Sequence, residues 1–365
     1  MAALKSDSRG SRRRSTGGLP AAGRAPLPFH IVTGFLGAGK TTLINRLLRA
    51  PELADALVVV NEWGEIGLDN LLYERLAGDA ILVAGGCVCC ALRGDLVDAL
   101  RDVLSRRDAG ALPGFRRIVL ETTGLAEPAP ILHALIADPG LAARLALAGV
   151  TTVVDAVNAS ARPERARQIA LAYRLVVAKT DLWPQAERAS RFADLCAALG
   201  GLNPIAPVLD GAAGEFTAAD FLTPTGAFPA ATGSAAPAAA HGVKTFVFRS
   251  AEPIDPVAFA QFLSVLGTML GPKLLRLKGL FALAGRPETP ILVDGVQHVF
   301  HASRALPRWP DADRSTRAVL IVEAAAARDA ENLWAALTRA PRIDAPDLAA
   351  LADNPLAPKA GGLLG

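Results

Sequence analysis

The sequence predicts an α/β protein with a doubly wound, mostly parallel sheet, followed by a second, smaller α+β domain. Short apolar runs alternate with helical patterns from Phe29 to about Leu209. These runs lack polar alternation, which is typical of parallel strands covered on both faces. A glycine-rich turn joins the first run to the first helical pattern, as in nucleotide-binding sheets. Residues 222–242 are rich in Pro, Gly, Ala and Ser, which predicts a linker between the two domains.

The individual elements follow from the same patterns. The predicted strands of the first domain are 29–33, 56–61, 80–84, 116–121, 150–156, 173–179 and 204–209, and its helices are 40–50, 92–107, 130–137, 163–172 and 184–199. Pro184 and Gly200 suit the start and the end of the last of these helices. In the second domain we expect strands at 243–249, 273–283, 290–301 and 317–323 and helices at 255–266 and 331–339. The predicted organisation is a disordered basic tail (1–28), a first domain (29–221), the linker, a second domain (243–340) and a tail (341–365).

Composition and charge exclude several classes of protein. The chain has 365 residues, 51% of them apolar, which is enough for about two domains of roughly 150 residues. The net charge is +3, but residues 1–28 carry +5, so the remainder is close to neutral and no nucleic-acid partner is expected. Four cysteines argue against a disulfide scaffold. No apolar run reaches the roughly 18–20 residues of a membrane span, and no secretory signal is recognisable. We therefore expect a cytoplasmic protein without a membrane partner.

A phosphate-binding loop follows the first strand. Residues 34–41, GFLGAGKT, fit the pattern G-x-x-x-x-G-K-[ST] between a strand and a helix. Glycines in such a loop let backbone N–H groups converge on phosphate oxygens. Lys40 is predicted to neutralise the β- and γ-phosphates, and the Thr41 hydroxyl to ligate Mg²⁺. The predicted nucleotide-binding residues of this segment are Gly34, Gly37, Ala38, Gly39, Lys40, Thr41 and Thr42.

Two further segments are candidates for the rest of a nucleotide site. Glu121 ends a predicted strand and is expected to hold Mg²⁺, while Gly124 is placed to meet a γ-phosphate; the alternative is a surface carboxylate without a ligand. Lys179 and Asp181 follow another strand about 140 residues after the phosphate loop. An Asp carboxylate accepts hydrogen bonds from guanine N1–H and N2–H₂, and the aliphatic stem of Lys179 can cover the base. These residues favour guanine over adenine.

A cysteine cluster occupies residues 85–90, GGCVCC. Thiolates are ligands that Zn²⁺ and Cu(I) prefer, so the candidate metal ligands are Cys87, Cys89 and Cys90. Three thiolates from four consecutive residues do not easily converge on one ion, and we expect two or three of them to bind it together with a group from elsewhere. An incomplete thiolate site suits exchange of the ion. A redox pair of vicinal thiols and simple packing remain alternatives. Cys196 stands alone in a helical pattern and is expected in the core.

Together these segments resemble the CobW-like family of P-loop GTPases, often described as metallochaperones. The resemblance spans about residues 29–325 and is carried by GFLGAGKTTL, NEWGEIGLD, GGCVCC, ETTGLAEP, TVVDA and AKTDL, with LLRLKGLFAL and VQHVFH beyond the linker. It implies a P-loop NTPase fold, GTP and Mg²⁺ as ligands, and Zn²⁺ or Co²⁺ on the CxCC segment. It also implies that Glu62 and Glu65 respond to the γ-phosphate. The candidate catalytic residues are thus Lys40, Glu121 and Glu62.

Two departures from the family pattern affect these expectations. Its base motif reads N-K-x-D, whereas Ala178 stands at the Asn position, which removes a hydrogen bond worth about 0.5–1.5 kcal/mol. Many members carry a histidine-rich tract, whereas this linker has only His241, so metal storage there is not expected.

The leading hypothesis is a GTPase that delivers zinc or cobalt to a client metalloprotein or a cofactor-biosynthesis enzyme. The alternatives are a nucleotide- and metal-responsive regulatory protein that does not deliver metal, and an ATP-dependent kinase or ligase. Slow intrinsic hydrolysis is expected, with Arg93 and Arg314 as candidate arginine fingers. The sequence leaves open the metal, the client and the oligomeric state.

Overall fold

The fold is described from a computed structural model of the chain. It describes residues 25–62, 81–84, 92–158, 162–212, 214–223, 239–240, 242–297, 299–300 and 303–339. The cysteine cluster at 87–90, Glu65, His241 and the two predicted tails up to residue 24 and from 340 onward lie outside the described residues. Among the described residues, no helix combines the length and apolar character that a membrane span needs.

The first domain contains a seven-stranded sheet in the order β3-β2-β4-β1-β5-β6-β7. Every strand pair in it is parallel. Its strands are β1 (Leu27–Gly34), β2 (Ala56–Glu62), β3 (Ile81–Ala84), β4 (Arg117–Glu121), β5 (Leu145–Asp155), β6 (Arg174–Ala178) and β7 (Val208–Asp210). The central β1 lies between β4 and β5 and is almost fully buried from Phe29 onward. The predicted doubly wound parallel sheet is therefore confirmed.

Helices cover both faces of this sheet. They are α1 (Lys40–Leu47), α2 (Leu92–Asp108), α3 (Pro128–Ala137), α4 (Pro139–Ala142), α5 (Pro163–Leu171), α6 (Gln185–Leu202) and α7 (Ala218–Leu222). Helices α1 and α7 pack with Val32 and Val58 on one face. Helices α2 to α4 pack with Ile31 and Val59 on the other face, and α5 and α6 with Val154 and Val177. Neighbouring residues of one strand, such as Ile31 and Val32, thus pack against helices on opposite faces of the sheet, as expected for a strand buried on both sides.

The second domain is built on an antiparallel sheet. Its order is β12-β11-β10-β14-β9-β8, with β13 paired to β11. The strands are β8 (Ala239–Ala240), β9 (Val243–Ser250), β10 (Leu274–Leu283), β11 (Arg286–Val296), β12 (Val299–Phe300), β13 (Arg304–Ala305) and β14 (Thr316–Glu323). Helices α8 (Pro256–Leu270) and α9 (Ala327–Arg339) cover one face, where Phe262, Phe281 and Trp334 meet. The predicted α+β character of this domain is confirmed.

Helix α5 lies between the two domains. Ile169 faces the first sheet, where it packs with Val154. Ala166 and Ala170, one turn apart, pack against Leu275 and Ile321 of the second sheet. The two alanines are almost fully buried, and their small side chains allow the helix and the sheet to approach closely. The helix is therefore a shared structural element rather than a surface covering of the first domain.

Several element ends differ from the sequence prediction. Gly200 was expected to end α6, but the helix continues through it to Leu202, and Asn203 is its C-cap. Burying Leu202 stabilises this last turn and offsets the roughly 1 kcal/mol that each of Gly200 and Gly201 costs in a helix. Strand β5 begins at Leu145, five residues earlier than expected, because Leu145–Leu147 pair with Leu27–Phe29 of β1. Ala and Gly dominate that stretch, so it carries little strand propensity of its own.

Candidate nucleotide site

The phosphate loop runs from the end of β1 to the start of α1. Gly34, Gly37 and Gly39 all have positive φ angles, of 146°, 72° and 97°. At Gly34 a Cβ would also lie 2.3 Å from the carbonyl oxygen of Val153 on β5. The α1 N-cap, Gly39, offers no side-chain cap, so the first N–H groups of the helix are left for an anion. The loop therefore has the backbone geometry of a phosphate cradle.

Lys40 lies across this loop. Its side chain is largely buried, and its Nζ donates to the carbonyl oxygens of Gly34, at 3.0 Å, and Phe35, at 3.3 Å. Because Nζ of Lys40 bonds carbonyl groups of its own loop, its positive charge already lies where phosphate oxygens would bind. Phosphates would then replace or supplement these carbonyl contacts.

Thr41 and Glu121 meet at the mouth of the loop although 80 residues separate them. The Thr41 hydroxyl donates to Oε1 of Glu121 at 2.8 Å. Glu121 ends β4, the strand beside β1, and is largely buried. A hydroxyl and a carboxylate are the hard oxygen ligands that suit Mg²⁺, which usually keeps several waters and takes few protein ligands. This donor set fits the expected ion.

The segment after Glu121 touches the phosphate loop directly. A Cβ on Gly124 would lie 2.5 Å from the backbone nitrogen of Leu36, so only glycine fits there. The Thr122 hydroxyl donates to the Thr33 hydroxyl of β1 at 2.8 Å. We call residues 122–127 the Gly124 loop. It is held directly against the phosphate loop and β1.

The expected base-binding segment begins where β6 ends. Lys179 has a φ of 66°, in the left-handed region that is uncommon for lysine. Its Nζ donates to Asp155 Oδ2 at 2.7 Å, while Val157 and Asn158 donate backbone N–H groups to Oδ1 of the same carboxylate. Burial alone would raise the pKa of Asp155, but these hydrogen bonds together hold it below its ordinary value. Asp155 therefore stays charged and fixes Lys179.

Asp181 is exposed beside this segment, and Thr180 is anchored below it by donating to Asp210 at 2.7 Å. Ala178 faces the phosphate loop, because a Cβ on Gly39 would lie 3.7 Å from its Cβ. The base segment and the phosphate loop are thus neighbours. No role was predicted from the sequence for Asp155 and Asp210, which anchor the site. The available signal was their position, since Asp155 is the last residue but one of the predicted strand 150–156 and Asp210 directly follows the predicted strand 204–209.

Most of the predicted site residues meet at this edge of the sheet. The residues concerned are Gly34, Gly37, Ala38, Gly39, Lys40, Thr41, Thr42, Glu121, Gly124, Lys179 and Asp181. Ala38 is buried, and its N–H donates to Phe35, while Thr42 is exposed on the first turn of α1. Glu62 ends β2, two strands away from β1, and its side chain is not among those described. Cys87, Cys89 and Cys90 lie outside the described residues. Arg314 pairs with Glu288 in the second domain.

Comparisons with known proteins agree with this architecture. The sequence model of the CobW/HypB/UreG nucleotide-binding domain matches residues 28–208, and that of the cobalamin synthesis protein cobW C-terminal domain matches residues 243–340. The zinc chaperone YjiA of Escherichia coli is 30% identical over 297 residues, which cover 78% of this chain and 91% of that protein. The zinc-regulated GTPase metalloprotein activator 1 of Schizosaccharomyces pombe is 34% identical over 139 residues, 36% of this chain and 33% of that protein.

Among solved structures, the Zn(II)-bound YjiA GTPase from E. coli superimposes with a TM-score of 0.66 at 28% identity. The match covers 86% of this chain and 99% of that one. Both domains of the present chain are therefore represented in one relative. The chain belongs to the CobW family and has a P-loop GTPase fold followed by the CobW C-terminal domain.

Proposed function

We propose that this chain is a GTP-hydrolysing metallochaperone that binds zinc or cobalt at Cys87, Cys89 and Cys90 and delivers it to a client metalloprotein or a cofactor-biosynthesis enzyme. As a member of its family, the chain is a GTPase. The contact between Thr41 and Glu121 carries the nucleotide part of the proposal. It joins the phosphate loop to β4 with the two oxygen ligands that a nucleotide-bound Mg²⁺ requires. The relatives named zinc chaperones support the metal part.

Bound Mg²⁺ would neutralise charge on the phosphates, and the chain's own residues supply the rest of the site. Lys40 places a positive charge at the loop, and its buried stem fixes that charge. Gly34 and Gly124 let the phosphate loop lie directly against β5 and the Gly124 loop, where a Cβ would meet backbone atoms. Asp155 holds Lys179 beside the base position, and Asp181 is available to recognise guanine. These roles are charge placement and orientation, which provide most of the catalysis in phosphoryl transfer.

The metal part depends on coupling between nucleotide and thiolates. The cysteine segment follows β3 in the sequence, and β3 pairs with β2 at the same parallel sheet. Loops after parallel strands share one edge of a sheet, so the cysteines are expected on the edge that carries the phosphate loop. A γ-phosphate that orders one such loop can change the metal affinity of its neighbour. We therefore expect zinc to bind with different affinity in the GTP and GDP states.

The test is zinc affinity measured by competition with a chromogenic chelator. Wild-type protein is loaded with Mg²⁺ and either GDP or a non-hydrolysable GTP analogue. We expect the dissociation constants to differ about 10-fold between the two states, within the usual range of coupling energies. The double variant Cys87→Ser/Cys89→Ser should lose tight binding, whereas Cys196→Ser should retain it because Cys196 lies apart in α6. Unchanged zinc affinity in the double variant would overturn the metal site.

Delivery needs a second measurement. Transfer of zinc to a fluorescent chelator that serves as acceptor is followed after GTP is added to the loaded protein. Faster transfer with GTP than with the non-hydrolysable analogue supports a carrier. Equal transfer rates in the two cases, together with nucleotide-dependent affinity, would instead favour the regulatory alternative.

A further inference from the structure

Helix α5 presents one polar side chain to the Gly124 loop. Gln168 is fully buried, and its amide nitrogen donates to the carbonyl oxygens of Gly124 and Ala126, each at 3.1 Å. A primary amide has two N–H donors, and here both are used on this one loop. Gln168 therefore holds the loop at two points, two residues apart.

Gly124 is confined from its other side as well. The backbone of Leu36, in the phosphate loop, lies so close that a Cβ on Gly124 would come within 2.5 Å of the Leu36 nitrogen. Gly124 is thus held between the phosphate loop and Gln168. The hydrogen bond from Gln168 and the close Leu36 backbone together fix the distance between Gly124 and the phosphate loop.

Gln168 itself is held rigidly. Its backbone carbonyl accepts a hydrogen bond from the Thr152 hydroxyl of β5 at 2.9 Å. The adjacent Arg167 donates to Glu127, the last residue of the Gly124 loop, at 2.5 Å, and to Glu323 of β14 at 2.6 Å. The loop is therefore connected through α5 to the central sheet and to the second domain.

The side-chain oxygen of Gln168 indicates that this residue does not serve mainly to fill space. Among the described residues, Gln168 Oε1 has no hydrogen-bond partner although it is buried. A partly open cavity of ≈ 270 Å³ adjoins Gln168, Leu36 and Asp155, so Gln168 borders a cleft that reaches the phosphate loop. A leucine would fill the same volume without leaving a buried oxygen unpaired. What leucine lacks is the pair of donors to the Gly124 loop.

We infer that Gln168 is a positioning residue for GTP hydrolysis, which holds Gly124 at the spacing from the phosphate loop that the γ-phosphate requires. The inference rests on the GTPase activity and not on metal delivery. A residue that acts at the γ-phosphate position matters for GTP and for turnover, but not for GDP. A residue that merely supports the fold would weaken both nucleotides together.

The experiment compares wild type with Gln168→Leu. Affinities for GDP and for a non-hydrolysable GTP analogue are measured with fluorescent nucleotides, and GTP turnover is measured by phosphate release. We expect GDP affinity to change by less than about 2-fold, while analogue affinity and kcat each fall about 10-fold, a factor within the range expected when the two amide hydrogen bonds to the Gly124 loop are lost. Wild-type turnover in the same assay tests the GTPase activity itself. Absence of wild-type turnover would contradict that activity, whereas normal turnover in both proteins would contradict only the role of Gln168.

Asn203→Ala is the matched control. Asn203 is also a fully buried amide, and it donates to the carbonyls of Ile169, Ala170 and Ala172 at the end of the same helix, but it does not bond the Gly124 loop. This variant should lower the melting temperature without changing the ratio of GDP to analogue affinity. If Gln168→Leu behaves in the same way, with an unchanged ratio and unchanged kcat, the inference is wrong. Gln168→Asn, which withdraws the amide by one methylene, provides the same test if the leucine variant does not fold.

Discussion

Single residues at the nucleotide edge are constrained by space or by charge. Gly34 and Gly124 stand where a Cβ would meet the backbone of a neighbouring segment, so their identity follows from close approach of two chains. Lys179 instead accepts an unfavourable backbone conformation, which its bond to Asp155 stabilises. The absence of a side chain at Gly34 and Gly124 lets two segments approach closely, and the side chain of Lys179 holds two others together through Asp155. In both cases the distance between neighbouring segments of the nucleotide site is fixed.

Asp181 gives a direct test of base recognition. In Asp181→Asn the side chain no longer accepts two hydrogen bonds from guanine but can donate one to the 2-oxo group of xanthine. We expect GTP affinity to fall about 100-fold, because two charge-assisted hydrogen bonds are lost, and XTP binding to appear. The measurement is competition of GTP, XTP and ATP for a fluorescent nucleotide. Equal competition by ATP and GTP in the wild type would contradict guanine recognition.

His30 gives a pH dependence of stability. It is buried in β1, stacked on Phe221, and burial, followed by the nearby charges of Arg174 and Arg117, lowers its pKa to about 4. Below the unfolded-state pKa near 6.5 the unfolded chain takes up a proton that the folded chain does not. Stability from this residue is therefore complete above pH 6.5 and falls by up to about 3 kcal/mol as the pH drops to 4.

His30→Phe, which keeps an aromatic ring against Phe221, should remove this contribution. Urea unfolding of both proteins between pH 7 and 4.5 measures it. We expect the stability difference between variant and wild type to shift in favour of the variant as the pH falls. A difference that stays constant over this range would show that His30 is protonated equally in both states.

At the scale of elements, α5 carries contacts in three directions. It packs on the first sheet through Ile169, on the second sheet through its alanines, and on the Gly124 loop through Gln168. The sequence indicates where α5 begins, because Pro163 lies in its first turn and proline is common at that position. The end of the helix depends on a residue from elsewhere in the chain, Asn203, whose amide donates to three of its last carbonyl groups.

Asn203→Ala should therefore destabilise the protein through α5. Several buried carbonyls would lose their donor, and we expect the unfolding free energy to fall by about 2–4 kcal/mol. Chemical denaturation measures the change, with exposed Gln185→Ala at the start of α6 as a control of little effect. A loss below about 0.5 kcal/mol would mean that solvent replaces the amide, as at a surface site.

At the scale of the whole molecule, the two domains share a buried interface with a charged residue in it. Arg276 of β10 is almost fully buried, stacks on Tyr173 with its guanidinium carbon 3.9 Å from the ring centre, and donates to the carbonyl of Leu171. It also pairs with Asp294 at 3.1 Å. Tyr173 and Leu171 belong to the first domain, so this one side chain joins the end of α5 to the second sheet.

Arg276→Met should weaken the whole protein, because the Leu171 carbonyl and the partly buried Asp294 carboxylate would lose the donor that they share. The expected loss of unfolding free energy is about 2–4 kcal/mol, since two partners of a buried guanidinium lose their hydrogen bonds. Arg314→Met is the matched control, since its pair with Glu288 is exposed, is screened by solvent and should contribute less than about 1 kcal/mol. Calorimetry should also show a broader or divided unfolding transition compared with the wild type, because the contact between the two domains is weakened. Equal small effects for both variants would contradict a structural role of the buried pair.

The sequence by itself determined the fold class, the phosphate loop and the family, because each depends on residues that are close together in the chain. Continuous apolar runs indicate strands that are buried on both faces. The phosphate-loop motif is recognised from glycines, a lysine and a threonine within eight consecutive residues, 34–41. The sequence could also suggest Glu121, which ends a predicted strand, and Asp181, which follows another.

Only the tertiary structure decided which distant groups meet. The 2.8 Å contact of Thr41 with Glu121, the anchoring of Lys179 by Asp155 and the hold of Gln168 on the Gly124 loop all join segments that are 24 to 80 residues apart. They depend on strand order and register, which bring β4, β1, β5 and β6 side by side. The strand order cannot be predicted from local propensity, because all the strands are similar apolar runs. Their arrangement is decided by the packing of the whole sheet.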